Sequence, residues 1–235
     1  INMSAVLDIS RHQLKMDFNK SKNNGVEYVV LRCAYSTSKD KKFDTFIKSA
    51  QSAGLPVGIY HFATWQYASK SKNFEKAKAN AILQANKVIE ILKPYTIQKF
   101  VALDFELESG QKVFGSKNEL TQLCNLYLDK IKEAGYSPVL YGSIANLEYW
   151  LDLNKISYPL WIAYYNSDGF KSKEFPSGKY GDMMLKRKDE ILLWQYSSKG
   201  IGNSYGADSR YVDLNHRYEE VEKKYIKDSA PIEPN

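Results

Sequence analysis

The chain has 235 residues, which exceeds a minimal domain and suits a single α/β barrel. Hydrophobic residues make up 43% and charged residues 26% of it, and this ordinary globular usage excludes a disordered or collagen-like chain. The net charge of +6 favours a polyanionic partner, but nucleic acid, anionic cell wall and acidic membrane all fit it.

Eight apolar segments predict β-strands, because each is rich in Val, Ile, Leu or aromatic residues and is bounded by Gly, Pro or polar residues. In chain order they span residues 5–9, 28–33, 56–62, 99–105, 138–141, 160–164, 191–196 and 211–214. No apolar run approaches the roughly 20 residues that a membrane-spanning helix needs, so we expect no membrane insertion.

Three amphipathic segments between the early strands predict helices. The segments 43–53 and 73–92 each end beside a Gly or Pro that terminates the pattern. Ser116 and Glu119 have the capping-box spacing that opens a third helix, which ends at Gly135. Strands separated by helices indicate βα units and a parallel sheet, and closure into a barrel removes both sheet edges.

The second half of the chain has a different pattern. After Tyr141 the connections contain only short helical patterns, and residues 167–189 form a polar, Gly- and Lys-rich segment that predicts a loop or hairpin. The expected fold class is therefore α/β, an irregular TIM-like β/α barrel with eight strands and a reduced number of helices. The barrel is expected over residues 1–228, and the Pro-rich residues 229–235 predict the start of a linker or C-terminal tail.

Acidic residues recur where the predicted strands end. In parallel barrels the functional groups collect at the C-terminal strand ends, and these ends carry Asp8, Asp104 with Glu106, and Asp213. A buried, unpaired carboxylate is costly, so several converging carboxylates indicate a function.

Asp104 and Glu106 are the acidic pair whose spacing is most informative about function. Side chains alternate across a strand, so both carboxyl groups point to the barrel axis while Phe105 faces the helices. Two close carboxyl groups are rarely ionised together, because their negative charges repel. One of them therefore keeps its proton and can act as the proton donor that glycoside hydrolysis requires. The alternative is that Glu106 is simply solvated at a strand end. Glu108 continues the alternation but lies further along, where a loop position is the better interpretation.

Aromatic residues near the strand ends suit an oligosaccharide, because sugar rings have apolar faces as well as hydroxyl edges. The candidate substrate-binding residues are Tyr60, Phe62, Trp65, Tyr141, Trp161, Tyr164, Trp194 and the neighbouring amide Gln195. Ordinary core packing is the alternative for each of the aromatic residues.

The Cys and His patterns predict neither a disulfide framework nor a metal site. Cys33 and Cys124 lie far apart in apolar surroundings, which predicts buried free thiols. The three histidines are scattered and have no i, i+4 pair. We therefore expect no metal ion and no cofactor.

The ordered motifs resemble those of the glycoside hydrolase family 25 lysozymes, the muramidase group of bacterial autolysins, phage endolysins and fungi. The motifs that carry the resemblance are DISRHQ from Asp8, GIYHF from Gly58, LDFE from Leu103, YG from Tyr141, WIAY from Trp161, WQY from Trp194 and VDLN from Val212. Each motif is short, but their order covers nearly the whole chain. One departure is the segment before Asp8, where a Gly is common in the family and this chain has Ala5-Val6-Leu7.

The resemblance implies hydrolysis of the β-1,4 bond between N-acetylmuramic acid and N-acetylglucosamine in peptidoglycan. Glu106 matches the general acid, and Asp8, Asp104 and Asp213 match the other carboxylates of the family's acidic cleft. The matched aromatic cleft positions are Tyr60, Phe62, Tyr141, Tyr164 and Trp194. The resemblance leaves open whether the reaction retains or inverts the anomeric configuration.

The expected partners are peptidoglycan glycan strands, anionic cell wall polymers and a downstream wall-binding domain in the full-length protein. Action at the bacterial cell wall follows, after secretion or release at host lysis, although no signal peptide is visible. One alternative is a non-catalytic peptidoglycan-binding barrel. A nucleic-acid partner is not expected, because the lysines are spread along the chain without an Arg-rich tract.

Overall fold

The computed structural model describes residues 6–227, and within them eight strands close into a barrel. The strands are β1 (Val6–Ile9), β2 (Tyr28–Tyr35), β4 (Val57–Phe62), β5 (Val101–Asp104), β6 (Pro138–Ser143), β7 (Leu160–Ala163), β8 (Ile191–Ile201) and β9 (Tyr211–Arg217). A two-residue strand, β3 (Ser38–Lys39), pairs with β2 outside the barrel. Each barrel strand lies beside its neighbour in chain order, and β1 pairs with both β2 and β9 to close the ring. The predicted fold class, an irregular barrel of eight strands, is confirmed.

The parallel pairing that the helical connections predicted holds for every barrel strand except the last. Neighbours from β1 to β8 pair in parallel, but β9 runs antiparallel to both β8 and β1. A parallel return needs a crossover of roughly a dozen or more residues, usually a helix. Only a 3₁₀ turn (Gly202–Tyr205) and a short loop join β8 to β9, so the chain turns back as a hairpin.

Helices pack mainly around the first half of the barrel. They are α1 (Phe18–Asn23), α2 (Phe43–Ser52), α3 (Phe74–Leu92), α4 (Lys117–Glu133), α5 (Ile144–Trp150), α6 (Lys179–Lys186) and α7 (Glu219–Tyr225). The three predicted helices are confirmed as α2, α3 and α4. The capping box at the start of α4 is also present, with the Ser116 hydroxyl accepting from the Glu119 amide at 3.3 Å and the Ser116 amide donating to the Glu119 carboxylate at 3.0 Å.

The segment predicted as a loop or hairpin at residues 167–189 contains a helix, α6, in its second part. The helix has only eight residues, and Gly178 before it and Gly181 within it favour a loop, although Tyr180, Met183 and Met184 have helical spacing. The preceding loop covers the outer faces of β8 and β9. Its Phe170 and Phe175 pack on Trp194 at ring distances of 5.5 and 5.7 Å, where a helix lies in a regular barrel.

Side chains fill the barrel interior, so the barrel is a packed core with its site at one mouth. The inner set includes Val30, Phe100, Val139, Trp161 and Leu193, all buried. A larger cluster lies between the strands and the helices. Cys33 and Cys124 are buried free thiols, as predicted. Within residues 6–227 no helix has the length and apolar character needed to cross a bilayer.

Helix α7 closes the barrel at the amino-terminal ends of the parallel strands. Its Glu222 is 3% exposed and accepts hydrogen bonds from Lys99, Arg217 and the Tyr28 hydroxyl. The distances to the two cationic side chains are 2.8 Å, and the distance to the Tyr28 oxygen is 3.2 Å. The predicted tail at residues 229–235 lies outside the described residues.

Candidate active site

The four predicted acidic residues meet at the mouth formed by the carboxyl ends of the parallel strands. Asp8 lies on β1 directly opposite Asp213 on β9, and the two side chains are hydrogen-bonded. Asp104 ends β5, and Glu106 follows two residues later with its carboxyl group hydrogen-bonded to Asp104. Asp213 reaches this mouth from the start of its strand, because β9 runs in the opposite direction.

Burial and mutual repulsion keep protons in this cluster. Burial, followed by the charge of Glu106, raises the pKa of Asp104 well above its usual value. Burial also raises the pKa of Glu106, although the hydrogen bond from Asp104 lowers it in part. Asp104 is 2% exposed whereas Glu106 is half-buried, so Glu106 is the outer member of the pair. The pair holds a proton at pH values where an ordinary carboxyl group is ionised.

The second carboxyl pair is held by amide side chains. Asp8 accepts N–H groups from Gln195 and Asn215, each at 2.9 Å. Burial raises the pKa of Asp8, and these two hydrogen bonds lower it in part. Burial, followed by the charge of Asp8, raises the pKa of Asp213 well above its usual value.

The loop that carries Glu106 is anchored by Gln66, which the sequence reasoning missed. The Gln66 side-chain amide donates to the Glu106 carbonyl at 2.8 Å and to the Ala63 carbonyl at 3.0 Å. Phe105 points outward against Trp65, with ring centres 6.1 Å apart, as the alternation predicted. A Gln after a predicted strand is a weak signal, so only the structure identifies this anchor.

Gly142 sits where a side chain would push on the Asp104–Glu106 segment. A Cβ at this position would lie 2.7 Å from Leu147 and 2.9 Å from the Phe105 carbonyl oxygen. We expect Gly142→Ala to lower the free energy of unfolding by about 2 kcal/mol through overpacking, measured by urea denaturation. Gly58→Ala is the matched control, because its Cβ would meet neighbours at an ordinary 3.5 Å. Equal stability of the two variants would contradict the expectation.

The predicted aromatic residues divide into four groups by position: the mouth, the layer beneath it, the rim and the outer layer. Tyr60 and Tyr141 are half-buried at the mouth and pack on Trp161, with ring centres 6.0 and 4.4 Å away. Trp161 itself is 1% exposed and lies beneath them in the barrel. Phe62 is half-buried at the rim and stacks on Tyr35 at 5.0 Å.

The remaining aromatic candidates lie in the outer layer. Trp65 and Trp194 are 0% exposed, and Trp194 donates its indole N–H to the Tyr164 carbonyl at 2.8 Å. Their rings pack the barrel against its covering layer, so they offer no surface to a ligand and the predicted contacts are not supported. Tyr164 is half-buried against Phe170.

Gln195, the predicted amide, lies at the mouth. It donates a hydrogen bond to Asp8 and accepts one from the Tyr141 hydroxyl.

Two further polar residues at the mouth, Tyr35 and Arg32, were missing from the sequence prediction. The Tyr35 hydroxyl donates to Glu108 at 2.8 Å beside the Phe62 ring. Arg32 on β2 is 7% exposed, forms a 2.8 Å ion pair with Asp40, and its charge lowers the pKa of Asp104 in part. Strand alternation could have identified Arg32, since it shares the inward side of β2 with Tyr28 and Val30.

His61 supports the mouth from outside the barrel. It is 0% exposed, with Nε2 2.7 Å from the Ser36 carbonyl and Nδ1 2.7 Å from the Tyr127 hydroxyl. A carbonyl only accepts, so Nε2 carries the hydrogen and Tyr127 donates to Nδ1. Burial lowers the pKa of His61 to about 4. Across residues 6–227, no group of three or more His, Cys, Asp or Glu side chains is placed to hold a metal ion.

Comparison with known proteins identifies what this arrangement is similar to. A family profile described as "Glycosyl hydrolases family 25" matches residues 7–204. The lysozyme of Streptococcus phage Cp-7 is 29% identical over 198 residues, which are 82% of this chain and 50% of that protein. The chain spans half or less of the length of the curated relatives that it matches.

Solved structures share the fold. The catalytic domain of the endolysin ply40, from bacteriophage P40 of Listeria monocytogenes, has a TM-score of 0.69 at 24% identity, covering 94% of this chain and 96% of that one. A family 25 glycosyl hydrolase from Bacillus anthracis has a TM-score of 0.67 at 17% identity, covering 93% and 91%. These likenesses establish the irregular barrel.

Proposed function

The chain belongs to glycosyl hydrolases family 25, and from this premise we propose that it is a muramidase acting on peptidoglycan. The bond cut is the β-1,4 bond from N-acetylmuramic acid to N-acetylglucosamine. The curated relatives named lysozyme, from Streptococcus phage Cp-7 and from other phages, support this substrate class.

The observation that carries the proposal is the hydrogen-bonded pair of Asp104 and Glu106 at the barrel mouth. Both pKa values are raised, so the pair retains a proton for the leaving glycosidic oxygen. A purely binding barrel has no use for a retained proton, whereas cleavage of a glycosidic bond requires one.

The positions of the four carboxyl groups support distinct roles. Glu106 is the general acid, because it is the outer member of its pair and is open to a sugar in the cleft. Asp104 lies beneath it and orients either the neighbouring 2-acetamido group or a water molecule. Asp8 and Asp213 face the pair and supply negative charge and hydrogen bonds to the developing oxocarbenium ion.

Half-buried aromatic rings form the walls in this proposal. Tyr60 and Tyr141 lie beside the acid cluster. Burial raises their pKa values, and the negative charges of the cluster raise them further. The stacked Phe62 and Tyr35 extend the aromatic wall to the rim. Such rings pack on the apolar faces of sugars, while their hydroxyl groups remain available for polar contacts.

We propose that residues 1–228 are the catalytic unit of a modular protein that acts at the bacterial cell wall. The greater length of the matched relatives supports a wall-binding domain that accompanies this unit. The net charge of +6 supports attraction to anionic wall polymers, which concentrates the enzyme near its substrate.

Mass spectrometry of digested peptidoglycan tests the assignment of the bond. We expect new reducing ends on N-acetylmuramic acid residues after incubation of purified cell walls with the protein. Reducing N-acetylglucosamine ends would refute the muramidase assignment. New peptide amino termini would instead favour the endopeptidase activity named for a relative from Streptococcus phage B30. Intact walls that retain the protein would favour the non-catalytic binding barrel.

A further inference from the structure

The carboxylate of Asp8 is held at a single oxygen by two buried amide groups. Oδ2 of Asp8 accepts from Nδ2 of Asn215 and from Nε2 of Gln195, each at 2.9 Å. Asn215 is 0% exposed and Gln195 is 5% exposed. Two N–H donors at one oxygen favour the ionised form of that carboxyl group.

Asn215 is fixed in this orientation by its neighbours on both sides. The indole N–H of Trp161, which only donates, points at Oδ1 of Asn215 over 2.7 Å. The carbonyl oxygen of Val6, which only accepts, lies 3.3 Å from Nδ2. If the amide were flipped, its N–H group would face the Trp161 N–H group and its oxygen would face the Val6 carbonyl oxygen, so both hydrogen bonds would be lost. Nδ2 is therefore the group presented to Asp8.

Gln195 follows the orientation that Asn215 sets. Its Oε1 accepts from the Tyr141 hydroxyl at 2.7 Å, which leaves Nε2 for Asp8. Because Oδ2 of Asp8 already accepts from Asn215, Gln195 must also present its N–H group there. Trp161 and Tyr141 thus hold the two amides from below and from the side.

The opposite carboxyl group has a different environment. Asp213 faces Asp8 across the β1–β9 pair and is hydrogen-bonded to it. Hydrogen bonds from Asn215 and Gln195 oppose the effect of burial on Asp8, whereas the charge of Asp8 adds to the effect of burial on Asp213. The pair is therefore asymmetric although its two members are chemically identical.

We infer that Asn215 is a positioning residue that, together with Gln195, holds the negative charge of the Asp8–Asp213 pair on Asp8 and leaves the proton on Asp213. The inference rests on the proposed function, because it assigns protonation states within the same site. Asp8 then provides a fixed negative charge to an oxocarbenium-like transition state, and Asp213 provides a hydrogen-bond donor in the cleft.

The other groups that act on this pair are distributed around the mouth. They are Tyr60 on β4, Asp104 and Glu106 at the end of β5, and Tyr141 on β6, while the charge of Arg32 on β2 acts on Asp104 and Tyr60. The amides of β8 and β9 single out Asp8 among the carboxyl groups, since both donate to it directly.

Asn215→Leu tests the inference, because Leu has a similar size and no donor. We expect the acidic limb of the pH profile of kcat/KM to move upward by about one pH unit, since an N–H bond to a charged acceptor is worth about one pKa unit or more. KM should change little. Trp161→Phe frees Asn215 to rotate and should move the limb in the same direction by less. Val139→Ala, buried in the same inner core, is the control and should leave the limb in place.

Carbon-13 NMR of labelled Asp carboxyl groups gives a readout that needs no substrate. In the wild-type protein, with signals assigned through Asp8→Asn and Asp213→Asn, we expect Asp8 to ionise at a lower pH than Asp213. The reverse order overturns the inference, as does an unchanged acidic limb in Trp161→Phe and Asn215→Leu. Since the titration is independent of activity, its result is distinguishable from a failure of the proposed function.

Discussion

Glu106→Gln is expected to lower the rate of lysis of purified cell walls by about 10³-fold, the range that a positioned general acid contributes. The amide keeps the shape of the side chain and its place beside Asp104, but it has no acidic proton for the leaving oxygen. The pKa of Glu106 is raised, first by burial, so the protonated form persists above the usual carboxyl range. Activity should therefore decline on the alkaline side of that raised value.

Turbidity loss of a wall suspension measures this effect. Glu108→Gln is the matched control, because Glu108 continues the same alternation but is exposed and hydrogen-bonded to Tyr35. Its rate should stay within a few-fold of the wild-type rate. Thermal melting should show that Glu106→Gln remains folded, since the amide has nearly the same size and adds no charge to the crowded acidic cluster. Equal lysis by Glu106→Gln and wild type would remove Glu106 from the mechanism.

Glu222→Ala is expected to cost about 3 kcal/mol of unfolding free energy, because it leaves Lys99 and Arg217 without their shared, largely buried counter-ion. The carboxylate also accepts from the Tyr28 hydroxyl inside the barrel, so the substitution removes a further polar contact between α7 and the barrel. Urea denaturation at neutral pH measures the difference. Glu220→Ala on the same helix is the control, because its pair with Lys223 is exposed and worth little.

The same carboxylate predicts how this contribution depends on pH. Burial alone would raise the pKa of Glu222, but the hydrogen bonds from Arg217 and Lys99 outweigh it and hold the pKa below the ordinary value of 4.5. A depressed pKa stabilises the folded state above the ordinary value, and this stabilisation is lost as the pH falls through the depressed one. The difference between wild type and Glu222→Ala should therefore shrink below about pH 4.5. A difference that grows on acidification would contradict this ion-pair assignment.

The acidic residues at the mouth were predictable because strand alternation is a strong local constraint. Asp104 and Glu106 share one side of their segment while Phe105 takes the other, and the structure shows this arrangement. The same rule applies to Trp194 and Gln195, which are adjacent and therefore lie on opposite sides of β8. Only one of the two can therefore face the cleft, and the structure places Gln195 there and Trp194 outside the barrel.

Strand direction depends on the connection rather than on the strand itself, so the apolar pattern of the last strand did not predict its antiparallel direction. The apolar pattern around Asp213 is the same for either direction. The short, Gly-containing connection after β8 was the available signal for a hairpin. Burial depth is also absent from local patterns. Trp161 faces inward as expected, yet it lies below the mouth and supports Asn215 instead of a ligand.

The pairing of β1 with β9 determines when the acid cluster can assemble during synthesis. Asp8 and Asn215 are separated by 207 positions, so nearly the whole barrel is translated between the two. Contacts of such long sequence separation form late and slow the folding of a chain. Before the last hairpin has been synthesised, the edge of β1 that pairs with β9 has no partner strand. Barrel closure and completion of the acid cluster are thus one event, and a chain that stops before β9 carries Glu106 without the Asp8–Asp213 pair.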